Sequence, residues 1–159
     1  MSDRIYSLPG LNSTLDFRQF AGYLNVDKAA GRNIFYWFAE AATADAANAP
    51  VVFWTNGGPG CSSLLGLLAE HGPFRVDQQG KTLVDNPMSW NVAVNIFYVE
   101  QPAGVGFSYS ETEQDYMHVG DGSAALDNYR IVRAFMERYP QVRARHAEYA
   151  GSECVRTAV

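Results

Sequence analysis

Between positions 54 and 63 the chain reads Trp54-Thr55-Asn56-Gly57-Gly58-Pro59-Gly60-Cys61-Ser62-Ser63, and a leucine-rich run then carries it to Glu70. These residue types, in this order, suit the stabilisation of a developing negative charge. The three glycines let a ligand approach backbone N–H groups closely, and Pro59 stiffens the turn. The apolar stretch at 50–54, rich in β-branched and aromatic residues, predicts a buried strand in front of the loop. Behind it, Ser62 or Ser63 caps a predicted helix with Leu64, Leu65, Leu67 and Leu68 as its apolar positions and Glu70 on its last turn. Strand, glycine loop and helix together gather N–H donors at the top of a sheet, where an oxyanion can be held.

The elements that must position this loop are those of an α/β protein. Residues 20–26 and 34–39 read as strands joined by a hairpin connection over 27–33. Stretches 51–54 and 94–100 are apolar enough to be buried central strands. An alanine-rich segment over 41–50 reads as a loop. Asp121 is expected to cap a helix running to Tyr139, with Leu126, Tyr129, Val132, Met136 and Tyr139 on one stripe. Arg130, Arg133 and Arg138 would face its negative C-terminal end, and Pro140 stops it.

Composition narrows the function classes. The 159 residues are 47% hydrophobic and 13% aromatic, with 18% charged against a usual level of about 25%. A net charge of −5 and the lack of any Lys/Arg run argue against a nucleic-acid partner. No apolar run is long enough for a membrane span, and the first residues lack the apolar core of a signal peptide. No Cys/His cluster has metal-ligand spacing, and no motif asks for a cofactor. Cys61 and Cys154 are the two cysteines; nothing in their spacing demands a bridge, and two free thiols are expected. Asn12-Ser13-Thr14 is a glycosylation sequon, meaningful where the chain enters the secretory route.

Taken whole, the motifs resemble the serine carboxypeptidase family of α/β-hydrolases. The family's W-x-N-G-G-P-G-C-S-S-x-x-G-x-x-x-E is met at every fixed position from Trp54 to Glu70. The likeness starts near Leu8-Pro9-Gly10 and Gly22-Tyr23-Leu24. It continues through Gly72-Pro73-Phe74, Asn86-Pro87-Met88-Ser89-Trp90-Asn91 and Gln101-Pro102-Ala103-Gly104-Val105-Gly106-Phe107-Ser108-Tyr109-Ser110, and fades after Pro140. The implied fold is a partial α/β-hydrolase: residues 1–159 would be the N-terminal part of one such domain, with a divergent tail from about 147.

The resemblance implies roles residue by residue. Gly58 matches the position whose N–H forms half of the oxyanion hole. Asn56 and Glu70, with Trp54 and Gly57 beside them, match positions that bind the free C-terminal carboxylate of a peptide. A side-chain amide and a protonated carboxyl can both donate to such an oxygen. By residue type alone, Asn56 would serve the loop backbone and Glu70 a solvated helix end, while Trp54 suits core or site wall equally. The family's nucleophile sits in G-E-S-Y-A-G. An ungapped count puts that elbow at Gly151, with Ser152 on the glutamate, Glu153 on the serine and Cys154 on the second oxyanion donor. An alternative alignment puts Glu148 on the serine. Neither supplies a nucleophile, and the family's Asp and His lie downstream of this stretch. His71, His118 and His146 match no catalytic histidine and read as ordinary surface or loop residues. The partner of Cys61 would likewise lie downstream.

The expectation is a serine-type carboxypeptidase by descent, releasing C-terminal residues from peptides, truncated at its elbow and inactive alone. Peptide or protein C-termini are its expected partners once completed, with neither nucleic acid nor membrane. The alternatives are a non-catalytic pseudoenzyme that binds peptide C-termini and an acyltransferase-type relative. Relatives are typically secreted, vacuolar or lysosomal.

Overall fold

The computed structural model describes residues 3–58 and 60–142, and the backbone of 147–152. Its centre is a six-stranded mixed sheet. The strands, in chain order, are β1 (Arg4–Ile5), β2 (Gln19–Asp27), β3 (Arg32–Ala39), β4 (Val51–Asn56), β7 (Asn95–Val99) and β8 (Ala147–Ser152). Across the sheet they run β1-β2-β3-β7-β4-β8; β5 (Phe74–Val76) and β6 (Leu83–Asp85) form a separate ribbon. β1, β2, β3 and β7 pair antiparallel, whereas β4 is parallel to both β7 and β8. The three parallel strands therefore end on the same side, where ligands of open α/β sheets bind.

The hairpin between β2 and β3 forms as expected, because Asp27 Oδ1 accepts from the N–H groups of Ala29 and Ala30 at 3.0 and 3.1 Å and closes the turn locally. Strand alternation then sorts the side chains. Phe20, Leu24, Val26, Ile34, Tyr36 and Phe38 face one side, joined there by Phe53, Phe97 and Val99. Ile96 and Tyr98 of β7 face the other, with Trp54, Leu67 and Phe74. Every residue of β4 and β7 is buried, as their apolar runs predicted. The alanine-rich loop carries one 3-10 turn, Ala46–Asn48.

A short helix α1 (Gln114–Met117) precedes the long helix α2 (Asp121–Arg138), which packs on β2. Three expectations for α2 are corrected. The N-cap is Gly120, and Asp121 is the first helical residue. The core row is Asp127, Ile131, Phe135 and then Tyr139, an i, i+4 ridge; of the expected stripe, Tyr139 is buried in it and Val132 and Met136 pack at its edge, while Leu126 and Tyr129 are exposed. Hydrophobic pattern misplaces the stripe because this ridge begins on a carboxylate. Asp127 is buried there because Arg32 Nη1 donates to both its oxygens at 2.8 and 2.9 Å. Arg138 lies in the last turn, and all three arginines answer acids: Asp27 and Asp127 for Arg130, Glu137 for Arg133 and Asp3 for Arg138.

Candidate functional site

The C-terminal end of β4 delivers Trp54 and Asn56 to the rim of the sheet, both nearly fully buried. Trp54 Nε1–H donates to Asn56 Oδ1 at 2.8 Å. That bond leaves the amide NH₂ of Asn56 facing Glu70, whose Oε1 accepts from Nδ2 at 3.2 Å. Glu70 itself is exposed, so one carboxylate opens to solvent from a buried, oriented amide. Its backbone is fixed by Arg75 Nη2 and Asn86 Nδ2, which donate to its carbonyl at 2.7 and 3.3 Å.

The predicted helix after the glycine loop is shorter and wider than expected. Ser62 caps it, accepting from Leu64 N at 3.2 Å. After Leu65 the chain widens into a π turn, Gly66–Glu70, closed by His71 N–H on the Gly66 carbonyl at 3.0 Å. Gly66 explains the close seat: a Cβ there would stand 2.5 Å from Trp54 Nε1. Of the four leucines, Leu67 is buried, Leu64 and Leu68 pack at the core edge, and Leu65 is exposed.

Two serines and a buried acid hold the glycine loop. Ser63 Oγ accepts from Asn56 N at 3.0 Å and donates to the Val99 carbonyl at 2.5 Å, tying the ends of β4 and β7. Ser62 Oγ donates to Glu100 Oε1, while Phe107 N–H donates to Glu100 Oε2 at 2.7 Å. Glu100 is fully buried. Within the loop, Cys61 N–H closes on the Gly57 carbonyl at 3.2 Å, and Gly58 takes φ of +136°, which side chains disfavour. Pro59 lies outside the described residues. Cys61 is disulfide-bonded, which corrects the expectation of two free thiols: local spacing carries no information about a bridge closed by the fold. Cys154 lies outside the described residues.

His71 is also corrected. Its ring is buried, stacked on Trp90 at 4.2 Å, edge-on to Trp54 at 4.1 Å, with Nδ1 3.1 Å from the Tyr98 hydroxyl. Nε2 has no hydrogen-bond partner among the described residues. Burial pushes its pKa below the ordinary histidine value, against the opposing pull of the Glu70 charge, so the neutral ring serves as an aromatic wall behind Trp54. Three aromatic neighbours scattered over positions 54 to 98 leave no local signal for that role. Glu100 did leave one: a carboxylate directly after the run Ile96–Val99 must find donors if it is buried. His118 is exposed, and His146 lies outside the described residues.

Strand register separates the two alignments at the elbow. β8 runs beside β4 with Gly151 and Ser152 opposite Thr55 and Asn56, whereas Glu148 lies opposite Val52 near the start of both strands. The ungapped count therefore brings the elbow position to the strand end beside the glycine loop. Glu153 and Cys154 follow it and lie outside the described residues.

An oriented amide, an exposed carboxylate and a glycine loop thus stand together at the parallel strand ends of an α/β sheet. The serine carboxypeptidase family profile matches residues 9–152, and the chain belongs to that family. It is 47% identical over 152 residues to serine carboxypeptidase-like 28 of Arabidopsis thaliana, covering 95% of this chain and 33% of that protein. It is 47% identical over 150 residues to the P-(S)-hydroxymandelonitrile lyase of Sorghum bicolor, at 94% and 29% coverage. With the lysosomal protective protein of Mus musculus it shares 48% over 140 residues, at 87% and 28%. The crystal structure of a prohormone-processing carboxypeptidase from Saccharomyces cerevisiae superposes with a TM-score of 0.77 at 25% identity, covering 94% of this chain and 35% of that one. The chain thus spans about a third of the length of the curated relatives it matches.

Proposed function

We propose that residues 54–70 form the carboxylate-reading and oxyanion-holding half of a serine-type carboxypeptidase site that releases C-terminal residues from peptides. The observation that carries this reading is the relay from Trp54 Nε1 through Asn56 to Glu70 Oε1 at the end of β4. An amide whose oxygen is already committed to an indole N–H can only donate toward an incoming carboxylate. Gly58, in its positive-φ loop next to the β8 end, supports the oxyanion role, where a fixed N–H stabilises charge that develops during acyl transfer. The reaction itself depends on residues outside this stretch: a relative of equal identity is named a lyase, so shared N-terminal architecture does not choose the chemistry.

The test joins residues 1–152 to the downstream portion of a serine carboxypeptidase that carries its own elbow. The chimera should release single C-terminal residues. Asn56→Ala should then raise KM about tenfold or more for free-carboxylate substrates, the scale of one hydrogen bond to a charged group. Substrates with an amidated C-terminus should be little affected. Equal losses on both would leave Asn56 as a loop-stabilising residue and overturn the reading.

A further inference from the structure

Nine asparagines occur in the chain, and Asn12 alone is followed by a hydroxyl residue two positions on. Four of the others are buried and spend their side chains on the fold: Asn56 holds Glu70, Asn86 the Gly72 carbonyl, Asn91 the Glu40 carbonyl, and Asn95 the Ala41 N–H. Asn12 does the opposite. It is exposed in irregular backbone ahead of β2, and neither its amide nor the Thr14 hydroxyl makes a hydrogen bond among the described residues.

The segment is nevertheless held in place on both sides of Asn12. Leu83 N–H donates to the Gly10 carbonyl at 2.9 Å, and Ser13 Oγ donates to Asp85 Oδ1 at 2.7 Å. Ser13 is the middle residue of the sequon, whose side chain an N-glycosylating transferase does not require. The anchoring hydroxyl is thus the dispensable one, and the two required groups stay open. A cavity of about 300 Å³, lined in part by Tyr6, Ser13 and Thr14, leaves room beside Thr14.

We propose that Asn12 is a site of N-linked glycosylation. In the transfer, Asn12 Nδ2 forms a bond to the anomeric carbon of an oligosaccharide carried on a lipid pyrophosphate. The bond from that carbon to the pyrophosphate oxygen breaks, the lipid pyrophosphate leaves with the electron pair, and the amide proton passes to a base of the transferase. A second observation agrees with that route: Cys61 is disulfide-bonded, and such bonds form and persist in oxidising compartments, where these lipid-linked donors are used.

The experiment isolates the protein from its own cells and digests it with peptide N-glycosidase. A gain in electrophoretic mobility is expected, with deamidation at position 12 in the peptide mass spectrum. Asn12→Gln and Thr14→Ala should each abolish the shift, and Ser13→Ala should keep it. Asn12→Gln should leave the thermal midpoint of the deglycosylated protein unchanged, since the side chain holds nothing. An unmodified Asn12 peptide from the native source, or a shift that survives Asn12→Gln, overturns the proposal.

Discussion

Two polar clusters sit at opposite functional extremes of this molecule. Where the β2–β3 hairpin meets the helices, Arg32 donates to Asp115 at 2.6 and 2.8 Å and to both oxygens of Asp127. Ser110 Oγ adds a further bond to Asp115 at 2.5 Å. One guanidinium answers two carboxylates: the Asp115 hydrogen bonds lift the Arg32 pKa above its already high value, and Arg32 holds the Asp115 carboxyl below the usual range. At the end of β4 the groups are mostly neutral, one carboxylate faces water, and His71 Nε2 has no partner among the described residues. A saturated cluster can only hold elements together. An unsaturated one, oriented by buried neighbours, can bind something else.

The comparison predicts its largest effect at the saturated cluster. Arg32→Met leaves Asp115 without a cation and Asp127 with only Arg130, 3.4 Å away, and should cost about 3–5 kcal/mol, as for other broken buried pairs. Urea denaturation at neutral pH measures it. Adding Asp127→Leu should recover part of the loss, because an apolar side chain carries no charge to strand. A loss below about 1 kcal/mol, typical of surface pairs, would demote the cluster to a solvated one.

At the loop, Ser63→Ala should cost about 1–3 kcal/mol, the penalty for leaving a buried donor or acceptor unpaired. Asn56 N–H and the Val99 carbonyl both lose a partner. This substitution sharpens the contrast because it removes support without touching a charge. A shift in denaturation midpoint with an unchanged slope is expected. Movement of the slope would mean that the loop melts separately from the sheet.

The legibility of these two regions from sequence differs for a physical reason. Strands β2, β3, β4 and β7 were readable because apolar alternation and continuous apolar runs are local properties of chain. The glycine loop was readable for the same reason, since its turn and cap chemistry lie within ten residues. Ion pairs are not local: Arg32 meets Asp127 across 95 positions, so the core face of α2 was misread from its leucine and tyrosine pattern. Glu100 reaches Ser62 across 38. His71 owes its burial to rings supplied by a strand end, a turn and a neighbouring strand. Family resemblance proposed which residues belong to the site, but it gave no hint of what holds them.

The smallest effect expected is also the one that distinguishes the clusters by pH. His71 is held neutral by burial, and the groups facing it are the Glu70 charge, the Tyr98 hydroxyl and the two indoles. Its folded pKa lies below the unfolded value of about 6.5, so between the two the unfolded chain binds more protons. Stability from this group is therefore complete above that value, declines as pH falls toward the folded pKa, and is flat below it. Asp115 acts in a separate window: its depressed pKa gives stability present above about pH 4 and lost below it. Urea midpoints should thus fall in two steps on acidification. His71→Phe should remove the upper step, and Arg32→Met should shrink the lower one, to which Asp77, held low by the Thr82 hydroxyl and the Lys81 N–H, also contributes. Tryptophan emission supplies the local readout, because an imidazolium stacked on Trp90 quenches that indole as His71 takes up its proton. If the upper step survives His71→Phe, or emission does not change across it, the buried ring is not what titrates there, and the wall behind Trp54 is as saturated as the cluster around Arg32.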